Sequence, residues 1–266
     1  KDLVTLRSRF LPEGRLLHTP ENEAACASRD GLRRAMEEET VLEGVAQLCD
    51  GAHNLLVSVG PFTGFLPREE AALGIAEGTT REIAILSRVG KPVCFQITAL
   101  EESEGVLRPR LSRRRAQQAA LDAMLAGLHP GCILPAVVTH LESFGAFVDI
   151  GCGVPSLIGI ENISVSRIPH PDQRFRVGQA IFAVVQELDP KLGRVYLTHR
   201  ELLGTWAENA ARFQAGMTCP VSSAGSRSMG PLWSSPRICP AWRSGKTACG
   251  RGTVCPSTSR LSCLSG

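Results

Sequence analysis

A chain of 266 residues has room for two or three small domains. Its net charge of +3 misdescribes its body: residues 221–266 hold six basic residues and no acid, which leaves the remainder at −3. Overall basicity is therefore no argument for nucleic-acid binding, and no apolar run approaches the roughly 18 residues of a membrane-crossing helix. The chain opens at Lys1 without the charged start and apolar run of a signal peptide. That predicts a numbering that begins inside a longer reading frame, and a cytoplasmic location. Cys26, Cys49, Cys94, Cys132 and Cys152 stand at scattered apolar positions with no C-x-x-C pair, as buried free thiols do. Cys219, Cys239, Cys249, Cys255 and Cys263 follow no zinc-ligand spacing.

Taken in order, residues 1–38 read as a lead-in followed by a helix over 21–38. Ala24, Ala27, Leu32 and Ala35 are near helical spacing, and Asn22 is the predicted cap. Residues 39–114 hold five short apolar runs, at 41–48, 54–60, 62–68, 91–100 and 105–112, parted by turn residues. Residues 115–129 are rich in Ala, Gln and Leu and predict a helical linker. Residues 130–200 repeat the five-run pattern about 90 residues later, a tandem-domain spacing. Residues 201–215 predict a second helix, with Leu202, Leu203, Trp206 and Ala210 on its apolar side and Trp206 packed on the barrel. Strand-sized runs of this kind make small closed sheets.

Alternation assigns faces in the second set. Ala146, Val148 and Ile150 point inward, and Phe147 and Asp149 outward, with Phe144 at the bend before them. Val195 and Leu197 point inward; Arg194, Tyr196 and Thr198 point outward. One outer surface then carries Phe, Tyr and Arg together. Such a surface stacks bases and holds phosphates, or it packs against a linker helix. Alternation leaves both readings open.

The motifs Phe144-Gly-Ala-Phe-Val-Asp-Ile150, Arg167-Ile-Pro-His-Pro171, Val177-Gly-Gln179 and Gly193-Arg-Val-Tyr-Leu-Thr198 stand in order over 131–200. This stretch resembles the RNA-binding OB-fold repeat of the ribosomal protein S1 family. The resemblance implies an all-β fold of tandem five-stranded S1-type barrels joined by short helical linkers. It places Phe144, Phe147, His170 and Arg194 on an RNA face, where Phe144 and Phe147 would stack unpaired bases. His170, Arg194, Lys191, Arg174 and Arg176 would reach phosphate, sugar or base edges beside Tyr196. The implied partners are single-stranded RNA or messenger RNA and the 30S ribosomal subunit, with no metal, cofactor or membrane. One departure is Gly159, where the family often has a His that can stack or donate.

The 39–114 copy is more degenerate. Its Gly64-Phe-Leu-Pro67 run resembles the family's turn, but its second strand has Leu55 and Val57 in place of the aromatic pair. Arg108, Arg110, Arg113, Arg114 and Arg115 either hold phosphate or open a solvated helix. A protein-docking role on the ribosome or a nuclease is the rival reading. It is favoured by Gly159 and by a 131–200 stretch with six basic and six acidic residues. Residues 216–266 predict the remnant of a third barrel, read out of frame and disordered: bases encoding Ser228 to Pro236, shifted by one, can spell a second aromatic strand motif. No nucleophile, paired-acid or metal-ligand constellation stands out, so no enzymatic activity is expected. Asp149 and Asp189 sit where acids close turns.

Overall fold

The computed structural model describes residues 10–103, 105–190, 192–211, 222–227, 230–234 and 240–241. The predicted 21–38 helix is two helices, α1 (Pro20–Cys26) and α2 (Arg29–Glu37). Ser28 is extended, and its hydroxyl accepts from the Gly31 N–H, so a new helix starts there. Gly31 lets the two helices meet: a Cβ on it would run into the Ala25 carbonyl. Thr19 rather than Asn22 caps α1. The Asn22 amide instead donates to the Glu43 carbonyl at 3.0 Å and accepts from its N–H at 2.8 Å, tying the helix to the first strand.

That strand begins a closed barrel of β1 (Leu42–Cys49), β2 (Leu55–Val59), β3 (Phe62–Leu66), β4 (Pro92–Ser103) and β5 (Val106–Ser112). The order is β1-β2-β3-β5-β4, with β1 pairing back to β4 and only β3 and β5 parallel. α3 (Ile83–Leu86) lies in the β3–β4 connection. The second barrel, β6 (Ile133–Glu142), β7 (Gly145–Asp149), β8 (Pro155–Gly159), β9 (Ala180–Asp189) and β10 (Arg194–Thr198), closes in the same order. These are OB-fold barrels. Closure leaves no strand edge to recruit another chain.

Each barrel has its own core. Leu55, Val57, Val59, Leu66, Phe95 and Leu111 fill the first; Ala146, Val148, Ile158, Ile163, Val195 and Leu197 fill the second. α4 (Arg113–Gly127) joins them and presents Ala116, Ala120 and Met124, four apart, to the second core, which also takes in Phe10, Val41 and Cys94.

The lead-in crosses this junction. Glu13, its side chain 5% exposed, accepts from Arg113 Nε at 2.7 Å, Arg113 Nη2 at 3.1 Å and Arg88 Nη1 at 2.8 Å. Arg113, 4% exposed, also donates to the Ala71 carbonyl. The predicted phosphate role is thereby excluded for Arg113, whose cation is consumed in the interior. Asp149 lies beside this pair. Its carboxylate accepts from the Glu13 N–H at 2.8 Å and, as the sequence predicts for a turn-closing acid, from the N–H groups of Gly151 and Gly153 at 2.8 and 3.0 Å.

After β10, residues 200–203 make a 3-10 turn that Gly204 (φ +76°) ends. Thr205 then caps a short helix, α5 (Trp206–Ala210), through a capping box with Glu208. The tail departs from the predicted lack of structure: β11 (Ser222–Arg227), β12 (Gly230–Ser234) and β13 (Pro240–Ala241) pair as an antiparallel sheet. Ladder bonds join backbone groups and need no alternating side-chain pattern. The tail cysteines and the Trp206 side chain lie outside what is described. Cys26, Cys94, Cys132 and Cys152 are buried, Cys49 half-buried, and all five are free thiols. Among the described residues, no helix is long and apolar enough to cross a membrane.

Candidate nucleic-acid interface

Register fixes the outer face of the second barrel. Phe147 pairs with His140 on β6 and with Leu157 on β8; Leu157 pairs with Tyr196 on β10, and Tyr196 with Glu187 on β9. These outward side chains form one row around the barrel. Phe144, 54% exposed at the β6–β7 turn, meets Phe147 edge-on, with ring centroids 5.9 Å apart and planes at 89°. The His140 ring also neighbours Phe147, at 6.4 Å and 30°. The rings that Phe147 meets are those of Phe144 and His140, and Phe147 itself stays partly exposed. An aromatic pair set edge-to-face offers one ring's face to a flat ligand and steadies it with the other.

Arg194 is exposed and stands two residues before Tyr196 on the same strand, so the guanidinium shares this face about 7 Å along it. Thr198 does not share it. A bulge in the β9–β10 pairing lies just before Leu197, and the Thr198 hydroxyl is buried, donating to the Asn162 carbonyl at 3.4 Å.

His170, Arg174 and Arg176 lie on the β8–β9 connection. His170 caps a 3-10 turn at Pro171–Gln173, its Nδ1 3.1 Å from an Asp172 carboxylate oxygen. It forms no ring contact with Phe144 or Phe147; His140 occupies that place. Arg174 turns inward, donating to Ser166 Oγ at 2.9 Å, and burial makes its proton easier to lose than usual. Arg176 is exposed, and the segment after it exchanges hydrogen bonds with Val138 (Gly178 N–H to Val138 carbonyl, 2.7 Å; Val138 N–H to Gln179 carbonyl, 2.9 Å). Arg176 therefore flanks β6 at the His140 end. Lys191 lies outside the described residues.

Alternation alone hides His140. Leu134, Ala136 and Val138 point inward, so period two sends His140 inward as well. A bulge at Thr139 sets two β6 residues against one on β7 and turns His140 outward.

The first barrel has the same bulge, between Ala46 and Leu48. Its matching row is therefore Leu48, Leu56, Phe65 and Arg110. This corrects the assignment of Leu55 and Val57 to the aromatic positions: both are fully buried core residues, and Leu56 stands where Phe147 does. Arg110 lies 3.6 Å from Glu101, Arg114 is paired to Glu77, and Arg108 and Arg115 are exposed.

Gly159 pairs with Gly145 across β7 and β8, and the Ile160 N–H donates to the Phe144 carbonyl at 2.9 Å. A Cβ on Gly159 would collide with the carboxylate of Glu161.

Comparison with known proteins gives a consistent result. Residues 128–200 match the family described as S1 RNA binding domain. The chain is 27% identical over 220 residues to the small ribosomal subunit protein bS1 of Neisseria meningitidis serogroup B, covering 80% of this chain and 37% of that protein. It is 27% identical over 187 residues to bS1 of Staphylococcus epidermidis, covering 68% and 45%. It is 38% identical over 125 residues to Protein tex of Bordetella pertussis, covering 47% and 15%. The chain thus spans less than half the length of each of these relatives.

Proposed function

We propose that the second barrel, whose residues 128–200 match the S1 RNA binding domain family, binds single-stranded RNA. The observation that carries this reading is the perpendicular Phe144–Phe147 pair, with Phe144 exposed and Phe147 partly so. Unpaired bases stack on Phe147 and abut Phe144, while Tyr196 extends the platform across the row. Arg194 and Arg176, at its two ends, hold phosphates, with Lys191 beside Arg194 in sequence. His170 and Arg174 play a lesser part, His170 being engaged with Asp172 and Arg174 with Ser166. Each stacked base contributes about 1–3 kcal/mol. Few cations surround the rings, so the salt slope is shallow. The setting is messenger RNA in translation, with the 30S subunit as the larger partner.

The test is fluorescence anisotropy of the full chain with labelled single-stranded RNA at low and moderate salt. The Phe144→Ala/Phe147→Ala double variant should weaken binding at least thirtyfold, about 2 kcal/mol for two bases at the low end. Binding that survives the double change refutes the stacking platform.

One observation favours a second reading, protein docking by the first barrel. Leu48 and Leu56 stand where His140 and Phe147 do in the second barrel, and Leu48 is 54% exposed. A chain that is folded and binds no RNA at low salt would move the function to that surface.

A further inference from the structure

We propose that Glu161 reads the base stacked on Phe147 and makes the second barrel prefer guanine; this rests on the RNA-binding reading above. Gly145 and Gly159 face each other across β7 and β8, on the outward side, two residues along from the Phe147–Leu157 pair. Neither glycine has a side chain to fill that surface. At Gly145 none fits, because a Cβ would run into the Ile158 carbonyl. At Gly159 the place a side chain would take is occupied by the Glu161 carboxylate, whose Cδ lies 2.9 Å from the position of a Gly159 Cβ. The outward Cβ positions of residues 159 and 147 are diagonal neighbours across a strand pair, about 7–8 Å apart. A base lying on the Phe147 ring therefore extends its edge toward the Glu161 carboxylate.

The chemistry of that carboxylate selects the edge. Ionised, it accepts hydrogen bonds and donates none. Guanine alone carries two adjacent donors on its Watson–Crick edge, N1–H and N2–H, matching the two oxygens of one carboxylate. Cytosine and adenine offer one exocyclic donor beside an acceptor. Uracil flanks its single N–H with two carbonyls that repel the group. Glu142, on the opposite side of Gly145, does not compete for the base, since His140 Nε2 already holds it at 2.8 Å. Glu161 is exposed and lies in a one-turn 3-10 segment, so changing it leaves the barrel core untouched.

The experiment uses the full chain and labelled uridine octamers in which one central residue is guanosine, inosine, adenosine, cytidine or uridine. Wild type should bind the guanosine octamer about tenfold more tightly than the all-uridine one, a bidentate base contact of ordinary strength. Inosine, which keeps N1–H and lacks the N2 amine, should fall between them. Glu161→Gln should bring all five octamers within about twofold of one another, with thermal unfolding unchanged. Phe147→Ala should weaken all five alike. RNA binding without a guanosine preference, or a preference that survives Glu161→Gln, overturns the role of Glu161 and leaves the platform standing. No binding to any octamer overturns both.

Discussion

The buried pair between Glu13 and Arg113 allows the sharpest prediction about what holds this molecule together. Arg113→Met keeps the stem that packs at the start of α4 and removes the guanidinium. Three hydrogen bonds go with it: two to Glu13, and one to the Ala71 carbonyl. Removing one partner of a buried ion pair costs about 3–5 kcal/mol, because the other charge is left in the interior. Arg88 still reaches Glu13 and is itself 24% exposed, so the loss should lie near the lower bound, about 3 kcal/mol. Urea denaturation followed by circular dichroism would read this as a lower midpoint at an unchanged slope. Glu13→Gln/Arg113→Met should recover part of the loss, since no uncompensated charge then remains. A loss below about 1 kcal/mol, or a double variant no better than the two losses added, would refute the reasoning.

Asp149 predicts a pH dependence. Burial, and then the neighbouring Glu13 carboxylate, push its acid up from 3.8 to about 7, against the Glu13 and Gly151 backbone N–H donors and Arg113, which favour the anion. A raised acid contributes stability in its protonated form. That contribution is complete below the unfolded value and is lost as pH rises through about 7. Unfolding free energy should fall between about pH 4 and 7, by at most about 4 kcal/mol, and Asp149→Asn should flatten the slope; an unchanged slope would show that other groups carry it. Gly159→His should displace the Glu161 carboxylate and set a ring beside the platform. It should tighten binding to uridine octamers about fivefold, within the range of one added stacking contact, while abolishing any guanosine preference; weaker binding would mean that the two glycines are needed as they stand.

Both barrels were legible in the sequence, because closed sheets of short strands leave runs of inward Val, Leu and Ile between turn residues. Phe144, Phe147, Tyr196 and Arg194 could be placed on one face for the same reason. The bulge at Thr139 breaks the period of β6 and hid His140. β2 alternates without a break, and Leu55 and Val57 were misplaced because its outward residue is Leu56, one position out of step with the pair chosen. Glu13, Arg88, Arg113 and Asp149 were illegible as a group, since up to 136 residues separate partners that only the folded junction brings together. The helix break at Ser28 was in principle visible, as a cap residue three positions before Gly31.

The bulge divides the labour of β6 along its length. Ahead of it, Leu134, Ala136 and Val138 answer to the interior; beyond it, His140 answers to solvent and to Phe147. The first barrel divides β1 at the same point, with Ala46 inward and Leu48 outward. Recognition and folding are therefore written in separate segments of one strand. A barrel of this design can exchange a leucine face for a histidine–phenylalanine face through positions such as 48 and 56, without altering any residue on which its closure depends.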